Sequence, residues 1–297
     1  LTFIDEDFAL QVAEPIAFVQ ARTRPGAIDV PSDKTGDISE QVRLGLAKVN
    51  LPEYWSVSKL SDYGKCPFKF WVSHTLNIKA LEEPSAGLDA RLLGEVYHKC
   101  LELFYSGLES RQLSMLDNDI AALAIFFDQC IKDGLEWLVT SRPFKVTEFW
   151  DYEQKEIYFR LRRFFARERE AALKTGGEFV PVAFEKAFGF EDEQGSASAL
   201  VISTNERTVK LRGRIDRIDK ANDGRVQVID YKAGSKPISL EEARQGSNMQ
   251  MPVYALAANQ CIEPGAHVST GIFLSISQAK SIGRIDFDKV GAELLPQ

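Results

Sequence analysis

Residues Val209 to Gly234 read VKLRGRIDRIDKANDGRVQVIDYKAG, and this stretch decides the fold. Strand-forming Val209, Leu211, Ile215 and Ile218 lead into the turn sequence Ala221-Asn222-Asp223-Gly224, and Val226, Val228, Ile229 and Tyr231 lead away from it. The pattern predicts a β-hairpin. Asp230 and Lys232 stand two apart and therefore share one side of their strand. With the turn centred near Asn222-Asp223, Asp216 falls almost opposite Asp230. Directly opposed Cβ atoms lie roughly 5 Å apart, close enough for two carboxylates to share one hard cation. On the D-x-K tripeptide alone, a surface ion pair between Asp230 and Lys232 is the simpler reading.

Outward from the hairpin, the 297 residues suffice for one large domain or two small ones, and 44% hydrophobic content supplies a full core. The chain starts at Leu1 rather than Met, which suggests a processed chain or a fragment. No apolar run reaches the ~18 residues that span a bilayer, and no basic-then-apolar leader opens the sequence, so a cytoplasmic location is expected. The four cysteines, Cys66, Cys100, Cys130 and Cys261, form no CxxC pair, which argues against a disulfide framework or a locally encoded zinc site. A net charge of -7 is the wrong sign for a protein that grips nucleic acid by itself. Any phosphate-binding face must be local, or a partner must supply the grip.

Residues 1–50, interrupted by Pro15, Pro25 and Pro31, read as an arm or the tail of a preceding domain, with a short helix over Ile38 to Val49. Ser56 or Ser58 is placed to cap a helix holding Leu60 and Tyr63, which Cys66-Pro67-Phe68 interrupts. Leu93, Tyr97, Leu101 and Phe104 recur at helical spacing over Asp89 to Tyr105. His98 sits at the edge of that stripe, one turn after Gly94; taken alone it is a hydrogen-bonded edge histidine rather than a ligand. Two further helices are expected over Asn118–Leu138 and Tyr152–Leu173. In the second, Arg160, Arg162, Arg163, Arg167 and Arg169 alternate with Glu156, Glu168 and Glu170, as a solvated face laced with ion pairs would, a DNA-contacting face being the alternative.

The period then switches to two over Phe179 to Phe190, a strand bent at Pro181 that carries Glu185. A short strand over Leu200–Ser203 precedes the hairpin. After it come helices beginning at Ser239 and over Gln250 to Ala258, a last strand over Thr270 to Ile276, and a tail over Phe287 to Leu295. Gln250 and Tyr254 are four apart and share a helix face.

Two aspartates beside a lysine on adjacent strands suit Mg²⁺, a hard ion that keeps waters and binds phosphate oxygens. Lys232 would stand beside metal-bound water and the scissile phosphate. The order of features narrows this: GxxxH (Gly94 to His98), a strand Glu, GRIDRID, VIDYKAG, then QMPVYA. That order resembles the RecB-like branch of the PD-(D/E)xK nucleases. SVSKLSDYGKCPFKFW upstream is similar to the opening motif of the nuclease domains of AddB-type helicase-nucleases. The resemblance runs from Trp55 to about Ala258 and places the nuclease domain at 51–297.

It implies an α/β fold: a central mixed β-sheet flanked by helices, with a large helical insertion between His98 and Glu185. By the same resemblance His98, Asp216 and Asp230 would hold the metal, with the Tyr231 carbonyl a further ligand. Lys232 would be the catalytic lysine, Glu185 the upstream acid, and Gln250 and Tyr254 would line the active site and the DNA path. Imidazole is softer than Mg²⁺ prefers, so Mn²⁺ is a plausible substitute.

Many relatives carry a [4Fe–4S] cluster on one cysteine before the core and a trio after it. Here Cys66 matches the first position, but only Cys261 follows Tyr254, so either the cluster was never present or the sequence stops short of the trio; no cluster is expected in this chain, and Cys66 reads as a small core residue. The N-terminal half shows no G-x-x-x-x-G-K-[ST] loop and encodes no helicase motor. The resemblance implies metal-dependent hydrolysis of DNA phosphodiesters, from an end, in partnership with a helicase domain or subunit. The alternatives are an inactive nuclease fold kept as a DNA-binding scaffold and a free-standing recombination or phage exonuclease.

Overall fold

A computed structural model of the chain describes residues 53–78, 87–117, 119–142, 145–203 and 208–294. The arm expected over residues 1–50 and its short helix lie outside these residues. Strand β1 (Tyr54–Ser56) leads into α1 (Val57–Lys65), and α2 (Pro67–Phe70) follows. Three long helices come next: α3 (Ala90–Leu108), α4 (Ile120–Ser141) and α5 (Trp150–Lys174). Strands β2 (Phe179–Phe188), β3 (Leu200–Ser203), β4 (Thr208–Ala221) and β5 (Arg225–Lys232) follow. The described chain closes with α6 (Leu240–Arg244), α7 (Gln250–Ala257), β6 (His267–Ser275), β7 (Lys280–Asp286) and α8 (Phe287–Leu294).

The seven strands form one mixed sheet. Its main path runs β1-β4-β5-β6-β7, and β2 and β3 pair with β4 off that path. β4 meets β5 antiparallel through a tight turn. Gly224 adopts φ 90°, Ala221 accepts its N–H, and the Asp223 side chain accepts the N–H of Arg225. β5 then pairs parallel with β6, across the crossover that contains α6 and α7.

Both sheet faces are buried, and β5 shows how two-residue periodicity divides them. Val226 and Val228 join the core under α1 and α7. Ile229 and Tyr231 join a second core made with α3, α4 and α5, whose Phe104, Phe127 and Phe165 pack ring to ring. The fold is thus the expected sheet flanked by helices, and α4 and α5 belong to the insertion between His98 and Glu185. Ser56 is the residue that caps α1, its Oγ accepting the N–H of Lys59 at 3.3 Å. β2 shifts register between Pro181 and Ala183, at the bend expected from the proline.

Several elements differ from the sequence reading. β6 is not the last strand: β7 extends the sheet with only Ile282 and Ile285 turned inward, too few apolar positions to read as a strand. The tail from Phe287 is a helix. β1 is only three residues long and gains its strand geometry from parallel pairing with β4. Cys66 is not a core residue; half-buried between α1 and α2, it caps α2 through Sγ, which accepts from Lys69 N–H. Of the five arginines of α5, three are ion-paired as the ion-pair reading expects, Arg160 with Glu156, Arg162 with Asp128 and Arg167 with Glu170, while Arg163 and Arg169 donate to the backbone carbonyls of Ser277 and Asp117.

Gly64 at the end of α1 faces the backbone of Gly246 and Ser247, and an added Cβ there would collide with the Gly246 carbonyl. That loop leads directly into α7, and Ser61 Oγ accepts the N–H of Met249 at 3.1 Å. Gly64→Ala is expected to destabilise the chain by about 1–3 kcal/mol, measured by denaturant unfolding; an unchanged midpoint would show that α1 and this loop are not in rigid contact.

Candidate active site

The ladder between β4 and β5 begins at the turn and ends at Arg217 opposite Ile229. One residue further on, the same register sets Asp216 against Asp230. Here the strands part, and the Asp216 side chain replaces the missing backbone acceptor: its Oδ2 takes the N–H of Tyr231 at 2.7 Å. On the other side of β4, Phe184 pairs with Arg217 and Lys186 with Ile215, so Glu185 stands opposite Asp216. Three acids therefore lie in one row across β2, β4 and β5.

Glu185 adopts φ 43°, a left-handed backbone that costs a non-glycine residue of order 1–3 kcal/mol. Arg214 fixes that conformation by donating to the Glu185 carbonyl at 3.0 Å, while its other amino group holds Glu193. The Glu185 carboxylate is thereby turned toward α3. His98 meets it there, with Nδ1 3.2 Å from Glu185 Oε1 and 3.5 Å from Asp216 Oδ1. Its Nε2 lies 3.1 Å from the Tyr231 carbonyl. One ligand atom each from His98, Glu185 and Asp216 falls within 4.8 Å of the others. The space over Gly94 is open, with no atom within 4 Å of where a Cβ would stand.

Asp230 faces the other way. Lys232 Nζ lies 2.6 Å from its Oδ2, and Gln250 Nε2 donates to its Oδ1 at 2.5 Å. Gln250 is a clamp: its Oε1 accepts from Lys232 at 2.8 Å, and its Nε2 also reaches the Tyr254 hydroxyl at 3.3 Å. α7 presents Gln250 and Tyr254 on one face because they are one turn apart. The eight residues singled out in the sequence thus fall into two adjoining groups, His98, Glu185, Asp216 and Tyr231 on one side and Asp230, Lys232, Gln250 and Tyr254 on the other. The set close enough to share an ion is His98, Glu185 and Asp216, with Asp230 level with Asp216 but turned to Lys232.

The electrostatics show what this cluster lacks. Burial, and then the neighbouring Asp230 charge, push Asp216 up to about 8, with His98 opposing. Burial also pushes Asp230 upward against the pull of Lys232. Burial alone would lower His98, but Asp216 and the hydrogen bond to Glu185 outweigh it and raise the imidazole to about 9. Three carboxyls here face only two cationic partners, His98 and Lys232, and at Asp216 the charge of Asp230 adds to the effect of burial. Asp230 Oδ2 is also buried without a hydrogen bond beyond its ion-pair contact. Carboxylates, an imidazole and a backbone carbonyl form a donor set that fits a hard or borderline divalent cation.

Behind the site lies a feature that the sequence reading passed over. Arg217 binds Asp219 through two nitrogens, each at 2.6 Å, and donates to Glu168 at 2.7 Å and to the Tyr231 hydroxyl at 3.1 Å. Its guanidinium stacks over Tyr105 at 4.6 Å. This buried network anchors Tyr231 between the two functional residues of β5. The signal was present in GRIDRID: period two sends Arg217 and Asp219 to the face opposite Asp216. The buried thiols, Cys100 and Cys130, stand in the helical core, where burial raises both.

The sequence matches the family model of the PD-(D/E)XK nuclease superfamily over residues 54–288. Among curated proteins it is similar to an ATP-dependent helicase/deoxyribonuclease subunit of Moorella thermoacetica, 31% identical over 68% of this chain and 17% of the relative. The subunits of the same name in Clostridium tetani and Caldanaerobacter subterraneus are each 29% identical, over 71% and 74% of this chain. These matches cover 18% and 19% of the respective relatives, so the chain spans less than a fifth of the length of the curated relatives it matches.

The pKa shifts fix a pH dependence for the metal-free chain. A carboxyl raised from 3.8 to about 8 weakens the fold as pH climbs through that interval. An imidazole raised from 6.5 to about 9 contributes fully below 6.5 and loses its contribution as pH passes its folded value. Both act in one direction: the melting temperature of the metal-free chain should fall between about pH 5 and pH 9, and Mn²⁺ should restore far more at about pH 8 than at pH 5. Scanning calorimetry with and without Mn²⁺ checks this; a Mn²⁺ gain larger at the acid end contradicts the site.

Proposed function

The chain belongs to the PD-(D/E)XK nuclease superfamily, and on that premise we propose that it hydrolyses DNA phosphodiesters with a divalent metal ion, as an exonuclease. The observation that carries this reading is the row Glu185–Asp216–Asp230 across three strands, with Lys232 2.6 Å from Asp230 at its open end. In this reading His98, Asp216, Asp230 and the Tyr231 carbonyl hold Mg²⁺ or, in its place, Mn²⁺, with Glu185 completing the acidic set. The ion supplies Lewis acidity toward the phosphate and a water activated at neutral pH.

The remaining work falls to the chain's own groups. Lys232 is half-buried, with Gln250 Oε1 fixing one of its donors. Released from Asp230, its ammonium is placed to donate to a phosphate oxygen as negative charge develops. Gln250 positions both Asp230 and Lys232, and Tyr254 positions Gln250. Both His98 nitrogens face acceptors, Glu185 on one side and the Tyr231 carbonyl on the other, as a protonated imidazole requires. Loading the site therefore requires His98 and Asp216 to give up protons, so metal affinity rises with pH.

The three relatives described above are each named as a subunit of a helicase/deoxyribonuclease. This supports a setting in which a helicase domain or subunit delivers DNA to the site, in the cytoplasm. The acidic balance fits that setting, because a motor that feeds the strand relieves the nuclease of gripping it. Among the described residues no helix is long and apolar enough to cross a membrane.

Linear DNA with Mg²⁺ or Mn²⁺ should be degraded, and Asp230→Asn or Lys232→Ala should lower the rate by about 10²–10³-fold or more. Gln250→Ala, which removes only the clamp, should cost roughly 10–100-fold. A gel assay of end-labelled DNA measures all three. A wild-type chain that binds DNA but cuts nothing under either metal, with or without a helicase partner, would establish the inactive-scaffold alternative.

A further inference from the structure

Helix α5 closes the back of the site and also has an outer face. Phe164 packs edge-on against Tyr231 with centroids 5.8 Å apart, and Arg160 neighbours the Tyr97 hydroxyl beside His98. Arg163 donates to the Ser277 carbonyl. Ser277 sits at the end of β6, where Ser275 pairs with Lys232 and Ile276 N–H donates to the Lys232 carbonyl at 2.9 Å. Arg163 therefore stands at the rim of the proposed active site.

From that rim a line of exposed side chains runs back along α5: Arg163, Phe159, Lys155 and Tyr152. Their spacing of four, four and three residues keeps them on one helix face over roughly 16 Å. Phe159 is 60% exposed, Tyr152 64%, and Phe149, just before the helix, 70%. Burying large aromatics is the usual outcome of folding, so three left in water on one line mark a contact surface. Lys155 has no acidic partner among the described residues, and Arg163 is held by a carbonyl rather than a carboxylate. Glu156, next in sequence to Lys155, is paired with Arg160, and exposed Asp151 stands one turn before Lys155.

We propose that this face of α5 is a track for single-stranded DNA, on which bases stack on Tyr152 and Phe159 while Lys155 and Arg163 meet phosphates. The inference rests on the nuclease reading and adds to it the path by which a strand reaches Lys232. Charge and chemistry together favour a nucleic-acid occupant. In a chain of net charge -7, this line alternates aromatic rings with cations, as sequence-tolerant strand binding requires. The charge also begins where the scissile phosphate would lie.

The test uses the full chain and a fluorescein-labelled dT oligonucleotide in Ca²⁺, read by anisotropy so that no cleavage is needed. The double variant Tyr152→Ala/Phe159→Ala should bind it at least roughly 10-fold more weakly, and Phe159→Tyr, which keeps a ring, should bind like the wild type. Lys155→Ala should flatten the dependence of log K on log salt by about 0.7. Circular dichroism confirms that these surface changes leave the fold intact. Equal affinity for the wild type and the double variant overturns the proposal and assigns the stripe to a protein neighbour. Wild-type hydrolysis of bis(p-nitrophenyl) phosphate, too small to span the stripe, reports on the site alone. If it is absent the nuclease reading fails, while affinity lost with the two rings still supports the track.

Discussion

Three carboxylates held at one level of a buried sheet repel one another, and the rest of the site is arranged around that repulsion. Asp216 is engaged by the Tyr231 N–H and by His98, Asp230 by Lys232 and Gln250, and Glu185 by His98. These contacts leave three acids sharing two cations, and burial together with the Asp230 charge raises Asp216 to about 8. Just behind, Arg217 meets Asp219 through two nitrogens and donates to Glu168 as well, so this network too holds more acid than base, but each of these contacts is a direct hydrogen bond from the guanidinium. Asp230 Oδ2, by contrast, is buried with no hydrogen bond beyond its ion pair with Lys232, and that unmet acceptor separates the site from the scaffold behind it.

The geometry that assembles the cluster is local in origin. The turn at Asn222–Gly224 sets the β4–β5 register, and that register brings Asp216 and Asp230 level. Strand parting beyond Arg217 then frees the Asp216 carboxylate to act as an acceptor rather than a surface group. β2 brings Glu185 in by the same arithmetic on the opposite edge of β4. His98 arrives from α3, which is held against the sheet by the aromatic core it shares with α4 and α5, and Gln250 and Tyr254 arrive from α7.

For this reason the hairpin could be read from sequence: a turn with its glycine, period-two hydrophobics and two acids fix strand, register and face together. The α5 ion pairs and a serine cap at Ser56 or Ser58 were legible on similar local grounds, whereas the central sheet with flanking helices followed from the resemblance to the nuclease family. The left-handed backbone at Glu185 was not, because it depends on Arg214 reaching back to the Glu185 carbonyl. Nor were β1 and β7, which have weak intrinsic patterns and become strands by pairing with an existing edge. Arg217 drew no assignment from the sequence, because its structural role rests on burial against Tyr105 and Tyr231, which only the tertiary fold brings to it. Cys66 illustrates the converse: a small residue assigned to the core turns out to cap a helix.

Whether the acid row and His98 form one divalent-metal site is tested most directly by anomalous diffraction from crystals of this chain soaked in Mn²⁺. The predicted result is a peak within ligand distance of His98, Asp216, Asp230 and the Tyr231 carbonyl, with Lys232 drawn away from Asp230. A Mn²⁺ peak remote from these residues, with the Lys232–Asp230 pair intact, would contradict it.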